Sequence, residues 1–242
     1  MREVVAALQA AADPQAAEVL TRYFQVRPGG YGFGDVFLGI KVGRLRAIGK
    51  PYYGAEFMAE DWLELLTSPI HEHRLLCLIV MSERSRRLGG SGETHPKEFA
   101  HIFETYLANT ASINNWDLVD VSSAPVVGGY LMNRDRAVLY RLARSSTLWE
   151  RRIAMVSTQR FIGAGQTADV YRLAELLLHD PNDLMHKAVG WMLREAGKRV
   201  DVTELCRFLD EHASSMPRTT LRYAIERLKP EERRHYLQVR RS

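Results

Sequence analysis

Apolar residues recur along this chain every three to four positions, the spacing of one face of an α-helix. No long segment alternates with period two, and no tight turn separates β-rich runs, so an all-α fold is expected. Glycine, proline and Asx residues mark six breaks in the pattern: "RPGGYGFGD" (27–35), "GKPYYG" (49–54), "GGSGETHP" (89–96), "SSAPVVGG" (122–129), "GAGQT" (163–167) and "HDPND" (179–183). The first twenty residues read as one amphipathic helix carrying acids. The closing "RRHYLQVRRS" reads as a basic tail that frays.

Four stretches between the breaks can be laid over one another: "LLTSPIHEHRLLCLIVM", "LARSSTLWERRIAMVST", "LLLHDPNDLMHKAVGWML" and "FLDEHASSMPRTTLRYAI". Each starts with the apolar end of one helix, crosses a polar turn and enters a second helix with a basic residue near its start. Arg74, Arg152, Lys187 and Arg218 are aligned at that basic position. Their separations fit a helix-pair repeat of about 31–39 residues with one repeat skipped, and the skipped repeat falls near residue 113. A helix pair of this length buries its apolar face only against its neighbours, so the expectation is a single domain over 1–242. It would be a C-shaped α-solenoid of HEAT-like repeats, with the second helices lining a concave basic groove.

Composition changes this picture little. The chain has 242 residues, 46% hydrophobic and 26% charged, near the globular average. The formal net charge of +4 argues only weakly for a polyanionic partner, but 27 of the 33 cations are arginine, whose planar fork suits phosphate. A coding bias explains the same excess. Cys77 and Cys206 match no zinc spacing and suit a reduced compartment. No stretch has the apolar core of a signal peptide or the length of a membrane span, so a cytoplasmic protein is expected. "HEH" brings His71 and His73 together, but a third ligand at metal spacing is missing, so both read as surface residues. The glycines of 89–96 lack the lysine and strand of a phosphate loop and read as a linker.

Within the skipped repeat, "SINNWDLVD" sets Trp116 and Asp120 four apart, on one face of a helix. Taken alone, the pair reads equally as a core ring plus a helix cap or as a catalytic pair. Trp62 and Trp149 read as core.

Four stretches carry a likeness to a known family: "FLGIKVGRLRAI" (37–48), "NNWDLVD" (114–120), "LWERRIAM" (148–155) and "HKAVGWMLREAGK" (186–198). Through them the chain resembles the AlkD-like DNA alkylation repair enzymes, bacterial glycosylases built of HEAT-like repeats. The resemblance implies that Asp120 stands at the catalytic aspartate, Trp116 and Trp191 at the two cleft tryptophans, and Arg152 at the active-site arginine. Arg151 adjoins Arg152 and is a further candidate for DNA contact, with Lys187, Arg74 and Arg218. The basic positions of the repeats read equally as a solvated face. The Gly-rich N-terminal region departs most from the family; there Tyr31, Lys41 and Arg44 are candidate DNA contacts.

The resemblance further implies a monomeric, monofunctional hydrolase acting on duplex DNA that carries positively charged N3- or N7-alkylated purines, small or bulky. It implies no cofactor and no metal, lesion recognition through the backbone without a base pocket, and a place in base excision repair at the nucleoid. The competing reading is a non-catalytic HEAT-like module that grips unusual DNA or a protein.

Overall fold

The computed structural model describes residues 1–90 and 95–239. Residues 91–94 of the expected linker and 240–242 of the basic tail lie outside the described residues. The fold is all-α, as the periodicity predicts. Among the described residues there is no β-strand, only an isolated parallel bridge between Val36 and Ile70. The chain packs as two compact units, residues 1–130 and 131–242.

The first unit holds α1 (Arg2–Ala10), α2 (Pro14–Tyr23), α3 (Val42–Gly49), α4 (Ala59–Leu66), α5 (His71–Gly90), α6 (Pro96–Ala108) and α7 (Trp116–Ser123). The single N-terminal helix expected over 1–20 is two helices. Asp13 and Pro14 explain the break: the Asp13 carboxylate accepts the Gln15 and Ala16 amides at 3.0 and 3.2 Å, and Pro14 begins α2, where its missing N–H is not needed. The core forms around α5, whose residues 71–82 are all buried. A helix apolar on every side sits inside a domain. Here the rule is strained, because the run opens with His71, Glu72, His73 and Arg74. Four buried polar side chains must each find partners.

The break expected at 122–129 is not there. Helix α7 runs directly into a π-helical turn, Ala124–Gly128. Pro125 cannot donate to the carbonyl four residues back, and its ring crowds that carbonyl. The wider π-turn relieves the crowding. The Ser82 hydroxyl stands 3.1 Å from the Val121 oxygen that proline leaves unsatisfied.

The second unit holds α8 (Ala137–Ala143), α9 (Leu148–Ser157), α10 (Gln159–Ile162), α11 (Ala168–Leu177), α12 (Asp183–Arg199), α13 (Val202–His212), α14 (Arg218–Ala224) and α15 (Pro230–Gln238). Three of the aligned stretches are present as packed helix pairs, α4 with α5, α8 with α9 and α11 with α12; in the fourth, α14 packs on α12 rather than on α13. Helices α6 and α7 fall where the repeat was skipped. Gly190 lets α14 lie against α12; a Cβ there would stand 2.5 Å from the Thr220 oxygen and from the Tyr223 Cβ. The described part of the C-terminal tail, up to Val239, is not frayed as expected, because α15 anchors it: Tyr236 is buried and its hydroxyl donates to Asp210 at 2.9 Å.

Candidate active site

The N-terminus of α7 is set by Asn115, a buried cap whose side-chain oxygen accepts the Trp116 amide at 2.8 Å. Trp116 is thus the first helical residue and Asp120 lies one turn on. Asp120 is inside the helix, so the reading of it as a cap is excluded. The Trp116 ring is half-buried. It stacks on Phe24 of the first unit with centroids 5.4 Å apart and planes at 19°, and meets the edge of Tyr23 at 6.2 Å.

Trp116, Asp117 and Asp120 line one side of a cavity of about 690 Å³ that lies wholly within the first unit. Val19, Leu20 and Tyr23 from α2, Phe24 just after it, Phe37, Ile40 and Val42, and His71 and Leu75 from α5 make up most of the rest. Val19, Tyr23 and Val42 are exposed at 62, 61 and 48%. Apolar side chains left this open beside a cavity mark a binding surface more often than a solvated face. Lys41 stands at the same cavity, exposed, just before α3.

The buried opening of α5 organises this wall. Glu72 accepts the amides of Leu38, Gly39 and Ile40 at 2.9, 2.7 and 3.1 Å. Gly39, at φ +82°, is needed there because a Cβ would strike the Asp13 oxygen at 2.1 Å. His71 was expected at the surface but is 1% exposed. Its Nδ1 is 2.8 Å from Asp35 and its Nε2 is 2.8 Å from Asp117. Burial alone would lower its pKa, but hydrogen bonds to Asp117 and then Asp35 override this and raise it to about 9. His73 is also buried rather than at the surface. It turns to Ser68 at 3.1 Å, and burial lowers its pKa. Sequence reasoning missed both partners of His71, Asp35 and Asp117, since 36 and 46 residues separate them from it.

Tyr106 packs behind α7. The Ser122 hydroxyl donates to the Leu118 oxygen at 2.5 Å, so the Tyr106 hydroxyl donates to Ser122 at 3.0 Å. Burial raises the Tyr106 pKa; the Ser122 hydrogen bond opposes this and the charge of Asp120 adds to it.

The residues expected in the basic row do not share one environment. Arg74 is 4% exposed; it bonds Asp35 at 2.5 Å and the Ser68 carbonyl at 2.9 Å. Arg151 pairs with Asp180 at 2.5 and 3.2 Å and donates to the Ser145 carbonyl at 3.0 Å. His186 donates to the Asp180 carbonyl at 2.5 Å. Each of the three is the fourth residue of its helix, and each reaches a carbonyl six residues back in the preceding turn. The equivalent of Arg74 is therefore Arg151, not Arg152. Arg74 and Arg151 lock turns: the donors that make these bonds face acceptors inside the protein.

Arg152 is one position further on. It is 5% exposed and donates to the Leu184 carbonyl in the first turn of α12 at 2.5 Å. Trp191 lies two turns along that same helix, half-buried. Lys187 is half-buried on α12 and pairs with Asp183 at 2.8 Å. Arg218 begins α14 and donates to the Leu237 carbonyl at 3.0 Å. Tyr31 donates to the Tyr23 carbonyl at 3.2 Å, and Arg44 is exposed on α3. Trp62 and Trp149 are core, as expected, at 6 and 9% exposure.

Among the described residues no helix is long and apolar enough to cross a membrane, and no group of three or more His, Cys, Asp or Glu is placed to hold a metal ion. No curated protein matches the sequence. A solved structure described as a predicted DNA alkylation repair enzyme from Enterococcus faecalis has a similar fold. Its TM-score is 0.67 over 90% of this chain and 97% of that one, at 15% sequence identity. The family model described as DNA alkylation repair enzyme matches residues 4–228, nearly the whole length, and the chain accordingly belongs to the DNA alkylation repair enzyme family.

Proposed function

We propose that this member of the family is a DNA glycosylase that hydrolyses the N-glycosidic bond of positively charged N3- or N7-alkylated purines in duplex DNA. Family membership carries the reading as far as alkylation repair of DNA. The observation that carries it to glycosylase chemistry is the pairing of Trp116 and Asp120 on one face of α7, where both line the same cavity.

Alkylation at N3 or N7 gives the base a positive charge, so it leaves readily. As the C1′–N bond breaks, its electron pair goes to the base and neutralises that charge, and the sugar becomes oxocarbenium-like. The Asp120 carboxylate stabilises the developing cation. Water forms the new bond to C1′ and gives its proton to Asp120 and then to solvent. The products are the free base and an abasic site. The face of Trp116, held by its stack on Phe24, attracts the cationic ring at roughly 0.5–2 kcal/mol. Engagement of the lesion through the backbone, as the resemblance implies, keeps bulky adducts within the proposed range. Within the second unit, Trp191 on α12 and Arg152 on α9 remain proposed functional residues, and Lys187, Arg218, Tyr31, Lys41 and Arg44 remain proposed DNA contacts.

The test is to incubate the protein with duplexes carrying 7-methylguanine, 3-methyladenine or a bulky N7 adduct and to identify released bases by mass spectrometry. Release of free base with an intact abasic strand is expected. Tight duplex binding without release would favour the non-catalytic module. A borohydride-trapped covalent adduct would replace water with an amine nucleophile, for which Lys41 is the residue at the cavity.

A further inference from the structure

The His71 ring lies between two carboxylates, at 2.8 Å from each. A neutral imidazole has one N–H and serves one carboxylate; two ionised carboxylates at that distance require both nitrogens to donate. The ring is therefore an imidazolium, buried at 1% exposure. Phe37 stacks on it at 4.5 Å and 24°, and Phe24 stands at 5.2 Å. Those faces suit a cation and keep water from it. Phe24 is also the ring on which Trp116 stacks.

Asp117 and Asp120 are three residues apart on α7, neighbours on one helix face. Both line the cavity. Two carboxylates so placed oppose each other's ionisation. We infer that His71 is a positioning residue for excision: a buried counter-charge that lets Asp117 and Asp120 stand ionised together on the cavity wall. The inference rests on the catalytic role proposed for Asp120.

The other charges around the ring are already matched. Arg74 is paired to the Asp35 oxygen that His71 does not use. Glu72 is consumed by three backbone amides. His73 faces Ser68, and the Tyr106 hydroxyl faces Ser122. Lys41, at the rim, is exposed and screened by solvent. Asp35 has a third partner, the Asn115 amide at 3.3 Å, so the counter-charge is anchored to the residue that caps α7. Charge and geometry are thus set together: the same network that neutralises Asp117 fixes the start of the helix bearing Trp116 and Asp120.

The test is the pH profile of single-turnover excision of 7-methylguanine from a duplex, by the full chain, for wild type, His71→Gln, and His71→Gln combined with Asp117→Asn. Asp120 must be ionised to act. Removing the imidazolium leaves Asp117 uncompensated, so the acid limb of His71→Gln should move up by about one pH unit or more. Removing the Asp117 charge as well should return the limb toward wild type. A histidine that only supports the fold would lower the melting temperature and leave the limb in place; an unmoved limb in His71→Gln, or a shift that Asp117→Asn does not reverse, overturns the inference. Should His71→Gln not fold, nitrogen NMR of the wild-type ring decides. Both ring nitrogens should stay protonated to about pH 8, and a singly protonated ring at neutral pH overturns the inference. Because that spectrum needs no turnover, a wild type that releases no base would refute the glycosylase reading and still leave the counter-charge decided.

Discussion

The start of α5 in the first unit and the start of α9 in the second are built alike and used differently. Arg74 and Arg151 each reach back six residues to a serine carbonyl, and each pairs with an aspartate. In the second unit the arrangement stops there: Asp180 belongs to the turn between α11 and α12, so Arg151 ties one repeat to the next. In the first unit the aspartate is Asp35, from the Gly-rich loop. It passes the contact on to His71, which passes it to Asp117 at the cavity. A turn lock common to the repeats is thus extended, in one of them, into a chain of alternating charges that ends where chemistry is proposed. A basic residue at a repeated position marks the lock. The added acid and histidine mark the site.

If that contrast is right, the second unit should lose stability first. Arg151→Ala strands the nearly buried Asp180 carboxylate and should cost about 3–5 kcal/mol in a denaturant melt, with base release per folded molecule unchanged. A loss under 1 kcal/mol would mean that the lock is ornamental.

The first unit should answer to pH. Folded His71 holds its proton to about 9, against about 6.5 when unfolded. Its contribution is therefore fully present below about pH 6.5 and is lost as pH rises through about 9, roughly 3 kcal/mol in all. Asp35 has the opposite sign: burial would raise its pKa, but His71 and Arg74 hold it below the usual carboxylate value, so its share is lost in acid. Thermal melts across alkaline pH check this, and His71→Gln should flatten the fall.

Gly190→Ala pushes α14 off α12 and should cost about 1–3 kcal/mol, read by the same melt. The smallest effect is expected at Lys187. Its exposed pair with Asp183 is worth no more than ~0.5 kcal/mol, yet Lys187→Ala should flatten the salt dependence of duplex binding by about one unit of slope if the amine meets a phosphate.

What the sequence made legible follows from range. The helix pairs repeat locally, and so did the reading of them; the pair Trp116 and Asp120 is one turn apart and could be placed on one face. The basic register slipped by one because the lock depends on a bond across a turn, which an alignment of residue types does not contain. Pro125 read as a break because the Ser82 hydroxyl near the freed carbonyl comes from another helix. His71 read as surface because Asp35 and Asp117 reach it only through the tertiary fold.

The most direct test of the account is Asp120→Asn, followed by single-turnover release of 7-methylguanine beside a thermal melt. The substitution keeps size and removes charge. Excision should slow by about 10²-fold or more, the scale for one preorganised electrostatic group. The melting temperature and duplex affinity should stay near wild type. Excision at the wild-type rate would contradict the account and return the chain to a binding role.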